Sequence, residues 1–200
     1  MRFLRNDIEH RQDNMNERAQ DYLLSLPNED KLYNEAEVHI NAKMLNEVDA
    51  DGNEELNYVI TLTYNSNTNE GASDDYPSGK YLLEEANSAK AICAIAKQII
   101  EQDNSDLFAA GKEVTIRIAS STDVEAIKHL PYNGEYGDYR YAAVQHNGQN
   151  IRVSVNEEEG ISTNEQLAFL RAQGLRQCIR QSILPLENTT NNYIYATRSY

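Results

Sequence analysis

The feature that most constrains this chain is a run of alternating residues at 112–123 that ends in a carboxylate. Apolar side chains occupy every second position from Val114 to Ile118, so the run predicts a β-strand with one buried face. Small hydroxyl residues and then Asp123 follow the strand. Because a strand end is a rigid base for a loop, we expect Thr122 and Asp123 to be held where a ligand can meet them.

Helical and strand-like periodicities alternate along the rest of the chain. A helix with an interrupted apolar stripe is predicted first, then two strands, a helix, the strand described above, a hairpin, a long helix and a closing strand. The predicted ranges are 1–26, 37–45, 56–65, 81–102, 112–123, 139–145 with 150–155, a helix from Asn164 onward, and 192–199.

This order predicts an α+β fold. We expect a β-α-β-α-β two-layer sandwich with helices on one face of a mixed sheet, plus an inserted β-hairpin and an N-terminal helix. Residues 1–30 are interpreted as a helical arm or linker, and residues 36–200 as one domain with an insertion at about 124–161.

The charge of the chain excludes two classes of partner. With 32 acidic and 18 basic residues the net charge is −14, and no cluster of Lys and Arg is present to bind nucleic acid or an anionic membrane surface.

No apolar run approaches the roughly 18 residues that span a bilayer. The N-terminus continues with polar residues where a signal peptide needs an apolar core. The chain is therefore either cytoplasmic or part of a longer anchored or exported protein.

The sequence contains no recognisable catalytic constellation. The four histidines are scattered without the spacing of a zinc helix, and neither a Gly-x-Ser-x-Gly elbow nor a phosphate-binding glycine loop occurs. We therefore expect a protein that is not an enzyme and that needs neither a metal nor another cofactor.

The two cysteines, Cys93 and Cys178, lie in separate apolar helical patterns. Such cysteines usually behave as small buried hydrophobic residues, and that interpretation is favoured here. A disulfide between them is the alternative if the two helices are neighbours.

Two segments together resemble the outer-membrane-protein-A C-terminal-like domain family. The family has a strand ending in Gly-His-Thr-Asp, followed by an Asn, then a Leu-Ser after two intervening residues, and an Arg-Ala within a helix. The matching residues are Thr122, Asp123, Asn164, Leu167, Arg171 and Ala172. The predicted β-α-β-α-β order over about 56–199 is also similar to that of the family.

The resemblance implies a non-catalytic peptidoglycan-binding module of the bacterial cell envelope. Its ligand would be the diaminopimelate of the cell-wall stem peptide. Arg171 would bind a carboxylate and Asp123 the ammonium, with Asn164, Thr122 and Leu167 completing the ligand-binding set. The protein would lie in the periplasm, associated with the outer membrane through an anchor outside this chain. A homodimer or an envelope protein partner is left open.

Three departures from the family pattern favour an alternative. Ser120 and Ser121 replace Gly-His, Ala168 replaces the Ser, and forty residues (124–163) separate the Asp from the Asn. The alternative is a protein–protein interaction or oligomerisation module on the same fold, with a degenerate ligand site. Four tyrosines of the insertion would either pack a small core of its own, which is favoured, or stack on sugar rings. They are Tyr132, Tyr136, Tyr139 and Tyr141.

Overall fold

The elements follow one another in the predicted order. The computed structural model describes residues 2–27, 32, 36–48, 52, 54–66, 76–105, 114–120, 122, 126–146, 148–183 and 191–197. The helices in these ranges are α1 (Arg2–Ser25), α2 (Asn87–Gln98) and α3 (Asn164–Ile183). The strands are β1 (Ala36–Val48), β2 (Glu54–Ser66), β3 (Val114–Ser120), β4 (Tyr139–His146), β5 (Gln149–Val155) and β6 (Asn191–Thr197).

The described strands form two sheets, whereas the sequence predicts one. β1 and β2 pair with each other as an antiparallel hairpin. The larger sheet has the order β3-β6-β4-β5, in which β6 runs parallel to both β3 and β4, and β5 is antiparallel to β4. The α+β class is therefore confirmed. The predicted inserted hairpin is present, and it supplies two of the four strands of the larger sheet.

Helix α2 is shorter than the predicted range 81–102. One carboxylate oxygen of Glu85 accepts hydrogen bonds from the backbone N–H groups of Tyr81 (3.1 Å) and Leu82 (3.0 Å). These bonds hold residues 83–85 in a separate 3₁₀ turn before α2 begins. After α2 the chain continues through a π turn at 99–103, and the buried Asn104 side chain donates to the carbonyl of Ile99 (2.9 Å).

Helix α1 covers the open edge of the small sheet. The Asn16 amide donates to the carbonyl of Ile40 (2.9 Å) and accepts from its N–H (3.2 Å), while the Gln12 amide accepts from the N–H of Ala42 (2.7 Å). An unpaired strand edge is a site of unwanted association, and these side chains occupy it. A shared apolar cluster lies beneath: Met15, Ala19, Ile40, Ala42, Ile95 and Ile99. The predicted N-terminal arm is thus packed against β1 and α2.

A second apolar cluster joins α2 to α3. Its buried members are Cys93, Ala96, Ile100, Ala172, Leu175, Cys178 and Ile179. The sequence favours separate buried thiols at Cys93 and Cys178. That interpretation is wrong, because the two helices are neighbours and the cysteines form a disulfide across a Cα–Cα distance of 6.1 Å.

The insertion packs on α3 and supplies much of a third apolar cluster. The buried members of this third cluster are Tyr81, Tyr132, Val144, Val153, Val155, Ile161, Leu167, Phe169 and Leu170. The ring of Tyr139 meets that of Phe169 edge-on at 4.7 Å, and its hydroxyl donates to the Gln173 amide (3.1 Å). Three of the four insertion tyrosines are therefore packing residues, as favoured, but they pack against α3 as well as within the insertion.

Candidate ligand-binding site

Helix α3 begins with a capping box. The Gln166 N–H donates to the Thr163 hydroxyl (3.2 Å), and the Gln166 side chain accepts from the N–H groups of Thr163 (2.9 Å) and Ser162 (2.6 Å). The reciprocal bonds fix the start of the helix at Asn164. They also occupy the N–H of Gln166. The helix end therefore offers a ligand fewer free donors than its position suggests.

Arg171 lies two turns into α3 and is almost completely buried, with 8% of its surface exposed. Its Nε–H donates to the carbonyl of Lys80 (2.9 Å), and its guanidinium carbon lies 4.6 Å from the centre of the Tyr76 ring. A hydrogen bond from a charged group contributes about 1.5–3 kcal/mol, and a cation–π contact about 0.5–2 kcal/mol. These contacts offset part of the cost of removing the cation from water and fix the orientation of the guanidinium.

Glu85 fixes the position of residues 80–82, the segment whose Lys80 carbonyl contacts Arg171. The Lys80 ammonium lies 2.9 Å from the Glu85 carboxylate, which also accepts the two backbone N–H groups described above. Burial tends to raise the pKa of Glu85. The hydrogen bonds from Lys80 and from the backbone outweigh it, so the pKa lies below its ordinary value. Ionised Glu85 thus positions the Lys80 carbonyl against Arg171.

Tyr76 places a buried hydroxyl beside the same guanidinium. The hydroxyl oxygen finds no hydrogen-bond partner among the described residues. Burial raises the pKa of Tyr76 above its ordinary value, with a further rise from Tyr136, and the Arg171 charge lowers it only in part. Tyr76 therefore stays protonated at neutral pH and keeps an O–H donor at the site.

The remaining predicted site residues have different surroundings. Thr122 is 7% exposed, and its hydroxyl has no hydrogen-bond partner in the part of the chain that the structure describes. Asn164 is partly buried at the first position of α3. Leu167 is fully enclosed in the third cluster, so it packs the core. Asp123 lies outside the described residues, and the predicted Asp123–Arg171 pair lies outside them with it.

Two contributors to the site have little signal in the sequence. Tyr76 stands in a polar loop before Pro77, where an aromatic residue alone predicts no contact with an arginine 95 positions away. Lys80 contributes its backbone carbonyl, which every residue type possesses. The sequence feature that does indicate such contacts is Arg171 itself, because a charged residue within an apolar stretch of helix needs buried partners.

Other features of the described structure bear on the chemistry of the protein. No group of three or more His, Cys, Asp or Glu side chains is placed to hold a metal ion in the ranges that the structure describes. None of the helices in those ranges is long and apolar enough to cross a membrane.

Comparison of the chain with known protein families, with curated proteins and with solved structures returned no match.

Proposed function

We propose that this protein is a non-catalytic peptidoglycan-binding module of a bacterial cell envelope and that it recognises the diaminopimelate-containing stem peptide. The observation that carries this proposal is the setting of Arg171. Its Nε–H donates to the Lys80 carbonyl, which fixes the plane of the guanidinium, and in this proposal the ligand carboxylate meets Nη1 and Nη2. That planar fork matches a carboxylate in a bidentate arrangement.

The other site residues have complementary roles in this proposal. Asp123 accepts hydrogen bonds from the ligand ammonium, and the buried hydroxyls of Thr122 and Tyr76 supply neutral polar groups. Recognition of a zwitterion needs an acid and a base at a fixed separation. The Tyr76 ring lies against the guanidinium, so ligand entry requires this side chain to change rotamer.

The architecture and the disulfide are consistent with this proposal. The larger sheet β3-β6-β4-β5, with α3 packed on it, supports the proposal as an α+β frame, whereas β2, which begins the β-α-β-α-β order of the resemblance, pairs with β1 in a separate sheet. A Cys93–Cys178 disulfide persists in an oxidising compartment, which supports a periplasmic location. Attachment to the outer membrane would come from an anchor outside this chain.

A second candidate function is favoured by the burial of Arg171. With 8% of its surface exposed and an aromatic ring against it, the arginine is also suited to a purely structural role. The protein would then be an interaction or oligomerisation module with a degenerate site. Removing the insertion does not test this alternative, because Val144, Val153 and Val155 of its hairpin belong to the core.

Calorimetric titration with a purified stem peptide that contains diaminopimelate tests the proposal. Arg171→Lys keeps the charge and loses the planar fork, so we expect a loss of affinity of at least about tenfold. Arg180→Lys, an exposed position on the same helix, is the matched control and should bind as the wild type does. A stem peptide with lysine at the diaminopimelate position lacks one carboxylate and should bind more weakly. Equal binding by wild type and Arg171→Lys would show that the assigned site is wrong.

A further inference from the structure

Tyr141 differs from the other insertion tyrosines in both exposure and backbone conformation. It is 73% exposed, and its φ angle of 55° lies in the left-handed region. It occupies the irregularity in the β4–β5 pairing between Tyr139 and Ala142. A bulky residue at positive φ is energetically unfavourable, and such conformations are concentrated at functional positions. Packing does not explain an exposed aromatic ring in this position.

Side chains of β5 hold the strained backbone in place. The Tyr141 N–H donates to the Ser154 hydroxyl (3.0 Å), and its carbonyl accepts from Arg152 Nη1 (3.1 Å). Both backbone polar groups of the bulged residue are thus satisfied outside the regular strand ladder. The bonds also place the Arg152 guanidinium next to the tyrosine. The bulge is therefore a fixed feature of the hairpin that presents an aromatic ring and a cation together.

The hairpin also differs in charge from the rest of the chain. Residues 139–156 contain no Asp or Glu, although the chain has 32 acidic residues and a net charge of −14. Arg140 and Arg152 in this stretch are exposed. On the outward side of the sheet, Ala143 lies opposite Arg152 and Gln145 opposite Asn150, and all four are exposed. We call Arg140, Tyr141, Ala143, Gln145, Asn150 and Arg152 the hairpin face.

We propose that the hairpin face binds the glycan strand of peptidoglycan, as a second contact in addition to the Arg171 site. A sugar ring has an apolar C–H face that packs on an aromatic ring, and a polar rim that suits amide and guanidinium donors. Where the stem peptide has been removed from this glycan, a free carboxylate on alternate sugars complements the two arginines, which lie in the stretch without acidic residues. This inference rests on the proposed function, since it assigns the carbohydrate part of the same polymer.

Binding of peptide-free glycan strands, released from sacculi by an amidase, tests the inference separately from the stem peptide. Tyr141→Asn removes the ring while keeping a residue that tolerates positive φ, so the bulge should be preserved. We expect this variant to bind the glycan about tenfold more weakly. It should bind the stem peptide as the wild type does. Leu24→Asn, at a 71% exposed apolar position on α1, is the matched control and should leave both affinities unchanged.

The outcomes separate this inference from the proposed function. Glycan binding that depends on Tyr141, without any stem-peptide binding, would support the hairpin face and reject the Arg171 site. Stem-peptide binding without glycan binding would overturn the inference, as would equal glycan binding by wild type and Tyr141→Asn. Self-association that Tyr141→Asn abolishes, measured by sedimentation in the absence of glycan binding, would assign the face to a second copy and overturn it as well.

Discussion

Reduction of the Cys93–Cys178 disulfide should remove a large part of the stability of this fold. The two cysteines are 85 residues apart in sequence. The chain-entropy treatment of a cross-link then gives about 4.6 kcal/mol at 25 °C from restriction of the unfolded chain. Domains of this kind have total unfolding free energies of about 5–15 kcal/mol. The bond also joins α2 to α3, which carries Arg171, so its loss should loosen the frame of the candidate site.

Urea unfolding with and without dithiothreitol measures this contribution. The wild type should lose about 3–5 kcal/mol on reduction. The Cys93→Ala/Cys178→Ala double variant should be as unstable as the reduced wild type, apart from the small cavity that two buried truncations leave, and should not respond to dithiothreitol. Two titratable thiols in the unreduced, denatured protein, or equal stability with and without reductant, would refute the reasoning.

Two further predictions concern packing and ionisation near the site. A Cβ at Gly174 would lie 2.7 Å from the hydroxyl oxygen of Tyr136, which accepts from the Leu83 N–H (3.0 Å). Gly174→Ala should therefore lower the free energy of unfolding, measured in urea, by about 1–2 kcal/mol, although alanine has the better helix propensity. An unchanged free energy of unfolding would show that the Tyr136 ring moves aside without cost. The pKa of Glu85 is lowered on folding, so its stabilisation is present above the unfolded value near 4.5 and is lost as the pH falls through the folded value. Unfolding measured from roughly pH 6 to pH 3 should therefore show a smaller acid-induced loss of stability in Glu85→Gln than in the wild type, and parallel curves would contradict this.

Local signals in the sequence predicted the elements well. The spacing of Thr163 and Gln166 in the sequence is that of a capping box and predicts a helix from Asn164, where α3 begins, because both halves of a cap lie within four positions of each other. The hairpin at 139–155 is predicted by a similarly local signal, since the sequence has Asn-Gly at 147–148 between two alternating runs, and the structure has β4 and β5 there. Gly174, a glycine inside the helical pattern, permits a close approach to α3, and the neighbour there is Tyr136 from the insertion.

Contacts between distant segments were less predictable. β2 has the alternating pattern of a sheet strand, but nothing in that pattern shows that, among the described strands, it pairs with β1 instead of joining β3. The contact of Tyr76 with Arg171 likewise depends on packing across 95 positions. Strand pairing and contacts between distant residues depend on which buried faces fit together. Residue periodicity predicts only that a face is buried and does not identify its partner.

The central claim is that the Arg171 site binds the stem peptide of peptidoglycan, and co-sedimentation with purified sacculi tests it most directly. We expect wild-type protein in the pellet. An excess of free diaminopimelate-containing stem peptide should release the Tyr141→Asn variant, which lacks the proposed glycan contact. Arg171→Lys should be retained less, with Arg180→Lys pelleting as the wild type does. Wild-type protein that stays in the supernatant, or a pelleted fraction of Tyr141→Asn that the free stem peptide does not displace, would contradict the claim.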